Sequence, residues 1–222
     1  MRKDRAKRHA EWRLDELFDR YDLSIRPSQL GELILAGVVD FRTEHPSCGS
    51  IEDAFKIEIR VPADFPGSVP SVRETGGRIG QSFHHLQDGS LCLGSPLRLQ
   101  LTVSRHPTLL GFVDKCVLPY LVGYSIYKKT NRMPFGELAH GGNGLVDDYR
   151  AILGMPTGKA CAESLRLLSL RKRIANKKRC PCGKGRLGRC HNRQLNRLRP
   201  LANRSAFATL ALQLEQALRS SR

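Results

Sequence analysis

The chain has no apolar run of membrane-spanning length, and its start, Met1-Arg2-Lys3-Asp4-Arg5, leads into a charged amphipathic segment rather than a signal-peptide stretch. The expectation is a cytoplasmic protein with no membrane partner. Internal repeats and low-complexity tracts are missing. Cysteines number seven, an odd count that does not suit a closed disulfide framework and agrees with a reducing compartment. Aromatic residues are absent between Tyr149 and Phe207, which removes the stacking platforms of sequence-specific single-strand recognition. Acid is scarce at one end only. Residues 159–222 hold 17 Lys or Arg against 2 Asp or Glu, whereas 1–158 hold 20 against 19, so the net charge of +16 lies almost wholly in the tail. A polyanion is the partner such a tail calls for, either nucleic acid or an acidic protein surface, unless it is simply solvated or docked within an assembly.

What is present in the first part is patterned. Phe55 to Val61 alternates apolar and charged residues, the period of a half-buried strand with Phe55, Ile57, Ile59 and Val61 inward. Pro62, Pro66 and Pro70 then stop the ladder and predict an extended loop anchored by Phe65. Asp88-Gly89 is a turn dipeptide that delivers the chain into Leu91-Cys92-Leu93, with Cys92 on the side opposite its leucine neighbours. Thr108 to Tyr127 carries apolar residues at helical spacing, including Phe112, Cys116, Tyr120 and Leu121. Ala10 to Tyr21 and Ser205 to Leu218 read as amphipathic helices, and Leu145 to Leu153 as a helix closed by Gly154 and Pro156. The glycine-rich connector 134–145 lacks the Lys-Ser/Thr of a phosphate loop; its Glu137 and His140 are within conceivable reach of Cys92.

This order resembles the core of the ubiquitin-conjugating enzymes: a helix, a strand meander, a Phe-Pro-x-x-x-Pro loop, a Gly-x-[aliphatic]-Cys-Leu segment, then a helix. The resemblance covers roughly residues 9 to 127 and rests on Phe65-Pro66 to Pro70 and on Gly89 to Leu93. It implies that Cys92 is the nucleophile, that the partners are a ubiquitin-like protein, its activating enzyme and a protein target, and that the first helix docks the activating enzyme. The family's His-Pro-Asn tripeptide is replaced by Ser82-Phe83-His84, so the missing asparagine's role falls to His84 or His85. Ser95 to Gln100 likewise replaces the family's acidic, tryptophan-containing loop. Both departures are similar to those of divergent bacterial members, several of which are tied to antiphage defence. A thiolate suits such a relay because it both attacks and leaves readily near neutral pH, and each transfer passes through an oxyanion that wants fixed donors.

Cys180, Cys182, Cys190 and His191 place three thiols and an imidazole within twelve residues, with glycine-bearing turns between the pairs. Such a set can close around one tetrahedral zinc ion, leaving no open position for a catalytic water. Cys180-Pro181-Cys182-Gly183-Lys184-Gly185 followed by Cys190-His191 resembles the SEC-C zinc motif, with the segment before Cys190 one residue shorter. Of the remaining cysteines, Cys116 reads as core, Cys48 as a loop thiol without a partner and Cys161 as the start of a tail helix.

The resulting expectation is an α+β chain. Residues 1–155 form a conjugating-type catalytic core, 156–178 a basic linker or helix, 179–192 the zinc motif and 193–222 a basic tail with an amphipathic helix. Cys92 carries the thioester, assisted by His85 or His84. The competing readings are a catalytically silent binding module whose basic zinc tail holds nucleic acid or a protein, and a nucleic-acid-associated protein in which the core is only a scaffold.

Overall fold

The computed structural model describes residues 12–27, 32–80, 83–132 and 142–220. They form mixed helix and antiparallel sheet, divided into two compact units: 1–94 with 101–136, and 95–100 with 137–222. Helix 142–153, grouped with the core on sequence grounds, falls in the second unit, because its apolar face is matched by helices of the tail.

In unit 1, helix α1 (Leu14–Arg20) precedes strands β1 (Asp22–Arg26), β2 (Leu33–His45), β3 (Gly49–Val61) and β4 (Ser71–Glu74), which form a meander in the order β1-β2-β3-β4. Of the predicted helix 10–21, Leu14–Arg20 is helical, with Leu14 and Leu17 buried, while Trp12 and Arg13 form a turn and Tyr21 is already extended. β3 begins earlier than the alternation at Phe55 indicates, since the β2–β3 hairpin is paired from Leu33↔Val61 to His45↔Gly49. Ile51, Phe55, Ile57, Ile59 and Val61 all face inward, as period two requires. At Gly37 (φ +154°), a Cβ would stand 1.9 Å from the Asp22 carbonyl, so only glycine lets β1 pair there. Beyond β3, the proline loop has a cis Phe65-Pro66 bond, and Phe65 is buried edge-on against Trp12 at 5.6 Å.

Helix α2 (Pro96–Arg105) is followed by the long helix α3 (Leu109–Thr130), whose N-cap Thr108 accepts a hydrogen bond from the Gly111 N–H. Its π turn at Val113–Val117 lies just before Pro119, where a missing N–H and a bulky ring disfavour a regular α turn. Among the described residues α3 alone is long and apolar enough to cross a membrane, contrary to the expectation from the sequence pattern that no such run exists; more than half of its most apolar window is buried within the fold. Phe112, Val117, Leu121 and Tyr124 enter the unit 1 core, Tyr124 edge-on to Phe55 at 5.9 Å.

In unit 2, helices α4 (Gly142–Leu153), α5 (Gly158–Ser169) and α8 (Arg204–Ser220) pack on one another. The short helices α6 (Lys172–Ala175) and α7 (Asn192–Asn196) flank the Cys/His segment. Tail helix α8 covers the predicted 205–218 and buries Phe207, Leu210 and Leu214.

Candidate functional site

The segment that presents Cys92 begins at Phe83, a ring set against three tyrosines of α3: Tyr120, Tyr124 and Tyr127, with centroids 5.7, 4.9 and 5.2 Å away. From there the chain makes a short hairpin. Leu86 N–H donates to Ser90 O (2.8 Å), Cys92 N–H donates to His84 O (2.7 Å), and His85 pairs with Leu91. The turn is the expected Asp88-Gly89: Gly89 has φ +79°, and the Asp88 carboxylate accepts from the Ser90 hydroxyl (2.6 Å) and N–H (3.0 Å), which lowers its pKa. Leu91 N–H donates to Val72 O (2.7 Å), tying the hairpin to β4.

Pairing of His85 with Leu91 sets His84 across from Cys92, so the register favours His84 over His85 as its neighbour. His84 has φ +40°, a left-handed conformation uncommon outside glycine that histidine tolerates better than most residues. Its carbonyl accepts from Cys92 N–H and also from the Tyr120 hydroxyl (3.3 Å), which donates to Phe83 O as well (3.1 Å). Tyr120 is therefore the residue that pins the hairpin to α3. Its place on an apolar helical face was legible, but the carbonyls its hydroxyl reaches were not. Burial, then the nearby Cys92 thiol, push its pKa up. His85 Nδ1 is buried and has no hydrogen-bond partner among the described residues. Ser82, Glu137 and His140 lie outside the described residues.

Cys92 is half-buried, whereas Cys116 and Cys161 are buried. Burial raises the Cys92 thiol, opposed by the Gly94 backbone N–H, and pushes Cys116 and Cys161 up to about 11. Cys48, read as partnerless, stands 3.7 Å from His45 Nδ1 across the β2–β3 turn. Sequence spacing holds a clue only in hindsight, since a three-residue turn brings i and i+3 side by side.

The second cluster is local. Sγ of Cys180, Cys182 and Cys190 and Nδ1 of His191 lie within 4.8 Å of one another, close enough for one metal ion to reach all four. Neighbouring ligand atoms are 3.2 to 3.4 Å apart. The knuckle is built by Gly183 N–H to Cys180 O (2.9 Å) and Cys180 N–H to Gly185 O (2.6 Å), with glycine at φ +84° and +142°. Leu187 N–H to Lys178 O and Cys190 N–H to Arg186 O bring the second pair back. The Lys184 backbone N–H lowers the Cys182 thiol, while hydrogen bonding with Cys182 pushes Cys190 up to about 11.

No protein-family model, curated protein or solved structure matches the chain.

Proposed function

We propose that the protein carries a ubiquitin-like modifier as a thioester on Cys92 and passes it to an amine of a protein target, with a structural zinc ion organising the Cys/His segment. The observation that carries this reading is the construction of unit 1. A helix, three antiparallel strands, a proline loop, a fourth strand, a hairpin ending in a half-buried cysteine, helix α2 and the long helix α3 follow one another, which supports the sequence resemblance apart from the additional α2.

In loading, Cys92 gives up its proton and its sulfur attacks the carbonyl carbon of the modifier's thioester on the activating enzyme. The C–S bond to that enzyme's cysteine breaks, and the departing thiolate takes up a proton. In transfer, the target amine attacks the same carbonyl; an amide forms, the C–S bond to Cys92 breaks, the amine loses a proton and Cys92 regains one. His84, across the hairpin from Cys92, is the first candidate for the base or oxyanion donor, and His85 the second. The divergent bacterial systems named above remain the setting that the resemblance supports.

Three thiolates and one imidazole suit zinc, whose Zn–S bonds of about 2.3 Å give a tetrahedron with edges of about 3.8 Å. The observed separations of 3.2 to 3.4 Å are slightly tighter. With every position filled by protein, the ion supplies folding energy and no catalysis.

One observation favours a second reading, a silent module that holds a ubiquitin-like partner without chemistry: burial raises the Cys92 thiol instead of lowering it. The test incubates the full chain with ATP, a bacterial ubiquitin-like protein and that protein's activating enzyme. An adduct cleaved by thiol reagents and lost in Cys92→Ala is expected, with Cys92→Ser giving an ester that survives those reagents. No adduct, with partners that load another conjugating enzyme, leaves the silent module.

A further inference from the structure

From Ser164 to Leu214 the chain has no acidic residue, yet 171–197 alone carries eleven Lys or Arg: 171, 172, 173, 177, 178, 179, 184, 186, 189, 193 and 197. All eleven are exposed, and among the described residues none has a carboxylate partner, in contrast to Arg166, which Glu215 holds in a bidentate pair. Concentration of charge is only the first observation. Arg179 and Arg186 are directly paired across the antiparallel bridge of the Cys/His knuckle, flanked by Cys180 N–H to Gly185 O and Leu187 N–H to Lys178 O. This bonding makes them a non-hydrogen-bonded pair, with Cα atoms about 4.5 Å apart and side chains on one face. Like charges so placed repel. Arg193 and Arg197, one turn apart with Arg197 N–H donating to Arg193 O, repeat the conflict on α7. Two like-charged pairs held by backbone hydrogen bonds, with no carboxylate paired to them among the described residues, are unfavourable in the free protein and are relieved by an anion that bridges each pair.

We propose that this cationic stretch of unit 2 binds the phosphate backbone of double-stranded nucleic acid, independently of base sequence. Seven of the eleven cations are arginine, whose planar fork matches phosphate oxygens. An acidic protein surface fits less well, because protein interfaces are centred on buried apolar anchors and Ile174 is the one large apolar side chain exposed in this stretch. A duplex is favoured over a single strand because no aromatic residue lies between Tyr149 and Phe207 to stack on bases. The inference rests on no step at Cys92, so either reading survives failure of the other.

The experiment titrates the full-length, metal-loaded chain into labelled 20-base-pair DNA and RNA duplexes of two unrelated sequences, from 50 to 200 mM salt. Engagement of about five phosphates predicts a log–log salt slope of about −4.5 on DNA, an affinity loss of about 500-fold across that range, with the two sequences bound alike. Arg179→Gln with Arg186→Gln, and separately Arg193→Gln with Arg197→Gln, should each reduce the slope by about 2. Neither pair ligates metal, so one metal per chain in both variants shows that the knuckle is intact. Arg166→Gln, already paired with Glu215, should leave the slope unchanged. The proposal is overturned by failure to bind any duplex at 50 mM salt, by slopes indifferent to both double substitutions, by tighter binding to a single strand of equal length, or by equal competition from poly-glutamate at matched charge.

Discussion

A thiol can serve packing or chemistry, and burial divides the cysteines of this chain along that line. Burial pushes Cys116 and Cys161 up to about 11, which disfavours their thiolates, while Cys92 is less enclosed. Iodoacetamide under native conditions should therefore modify Cys92 well before either, with rates rising as pH climbs because the thiolate is the reactive form; mass spectrometry of timed digests reads the order, and equal rates would refute it. Asp53 shows the opposite balance. Burial disfavours its charge, but the Ser125 hydroxyl (2.7 Å), Arg78 (2.6 Å) and its neighbour's N–H (2.9 Å) together hold the carboxyl below its ordinary value. A carboxyl depressed in the folded state stabilises above its unfolded pKa, and that contribution disappears as pH falls through the folded value. Asp53→Asn should cost about 1.5–3 kcal/mol at pH 7 and little at pH 2, so urea midpoints of variant and parent converge in acid.

At the scale of elements, Arg199 closes the C-terminal end of α5. Its guanidinium donates to the carbonyls of Leu167 (3.0 Å), Leu168 (2.9 Å) and Leu170 (2.6 Å), at the C-terminal end of α5 where the helix dipole is negative. Burial lowers its pKa, yet an arginine so bonded stays charged. Arg199→Met retains the aliphatic stem and loses the donors, an expected cost of about 1–3 kcal/mol in a thermal or urea melt. Arg199→Lys should recover only part of it, since one ammonium does not span three carbonyls in that fork. A full rescue by lysine would show that charge alone matters. A second such contact binds 95–100 to α4: Ser95 and Arg98 both bond the buried Asp148 carboxylate, and the Tyr149 hydroxyl accepts from Leu97 N–H (3.3 Å). Nothing in the spacing of Asp148 and Tyr149 announces these partners some fifty residues away.

For the whole molecule, the division into two units means that metal should matter to one of them. Native mass spectrometry should find one zinc per chain, lost on replacing Cys180 and Cys182 with serine. Stripping the metal should abolish hydrogen-exchange protection at Cys180, Leu187 and Gly188, whose N–H groups close the knuckle, and leave the β2–β3 amides protected, because that ladder sits on its own apolar core. Uniform loss across both units, or no loss, would count against a structural metal. The sequence by itself determined what local spacing controls. The alternation in β3, the apolar faces of α3 and α8, the Asp88-Gly89 turn and the Cys/His cluster within 180–191 are all readable because their partners lie within a few residues. Only the tertiary structure decided which apolar face meets which, placing α4 with α5 and α8, Tyr120 beneath the Cys92 hairpin and His84 opposite Cys92. The physical reason is that apolar burial is non-directional: periodicity says that a face must be covered, while shape and hydrogen-bond geometry across long stretches of chain choose what covers it.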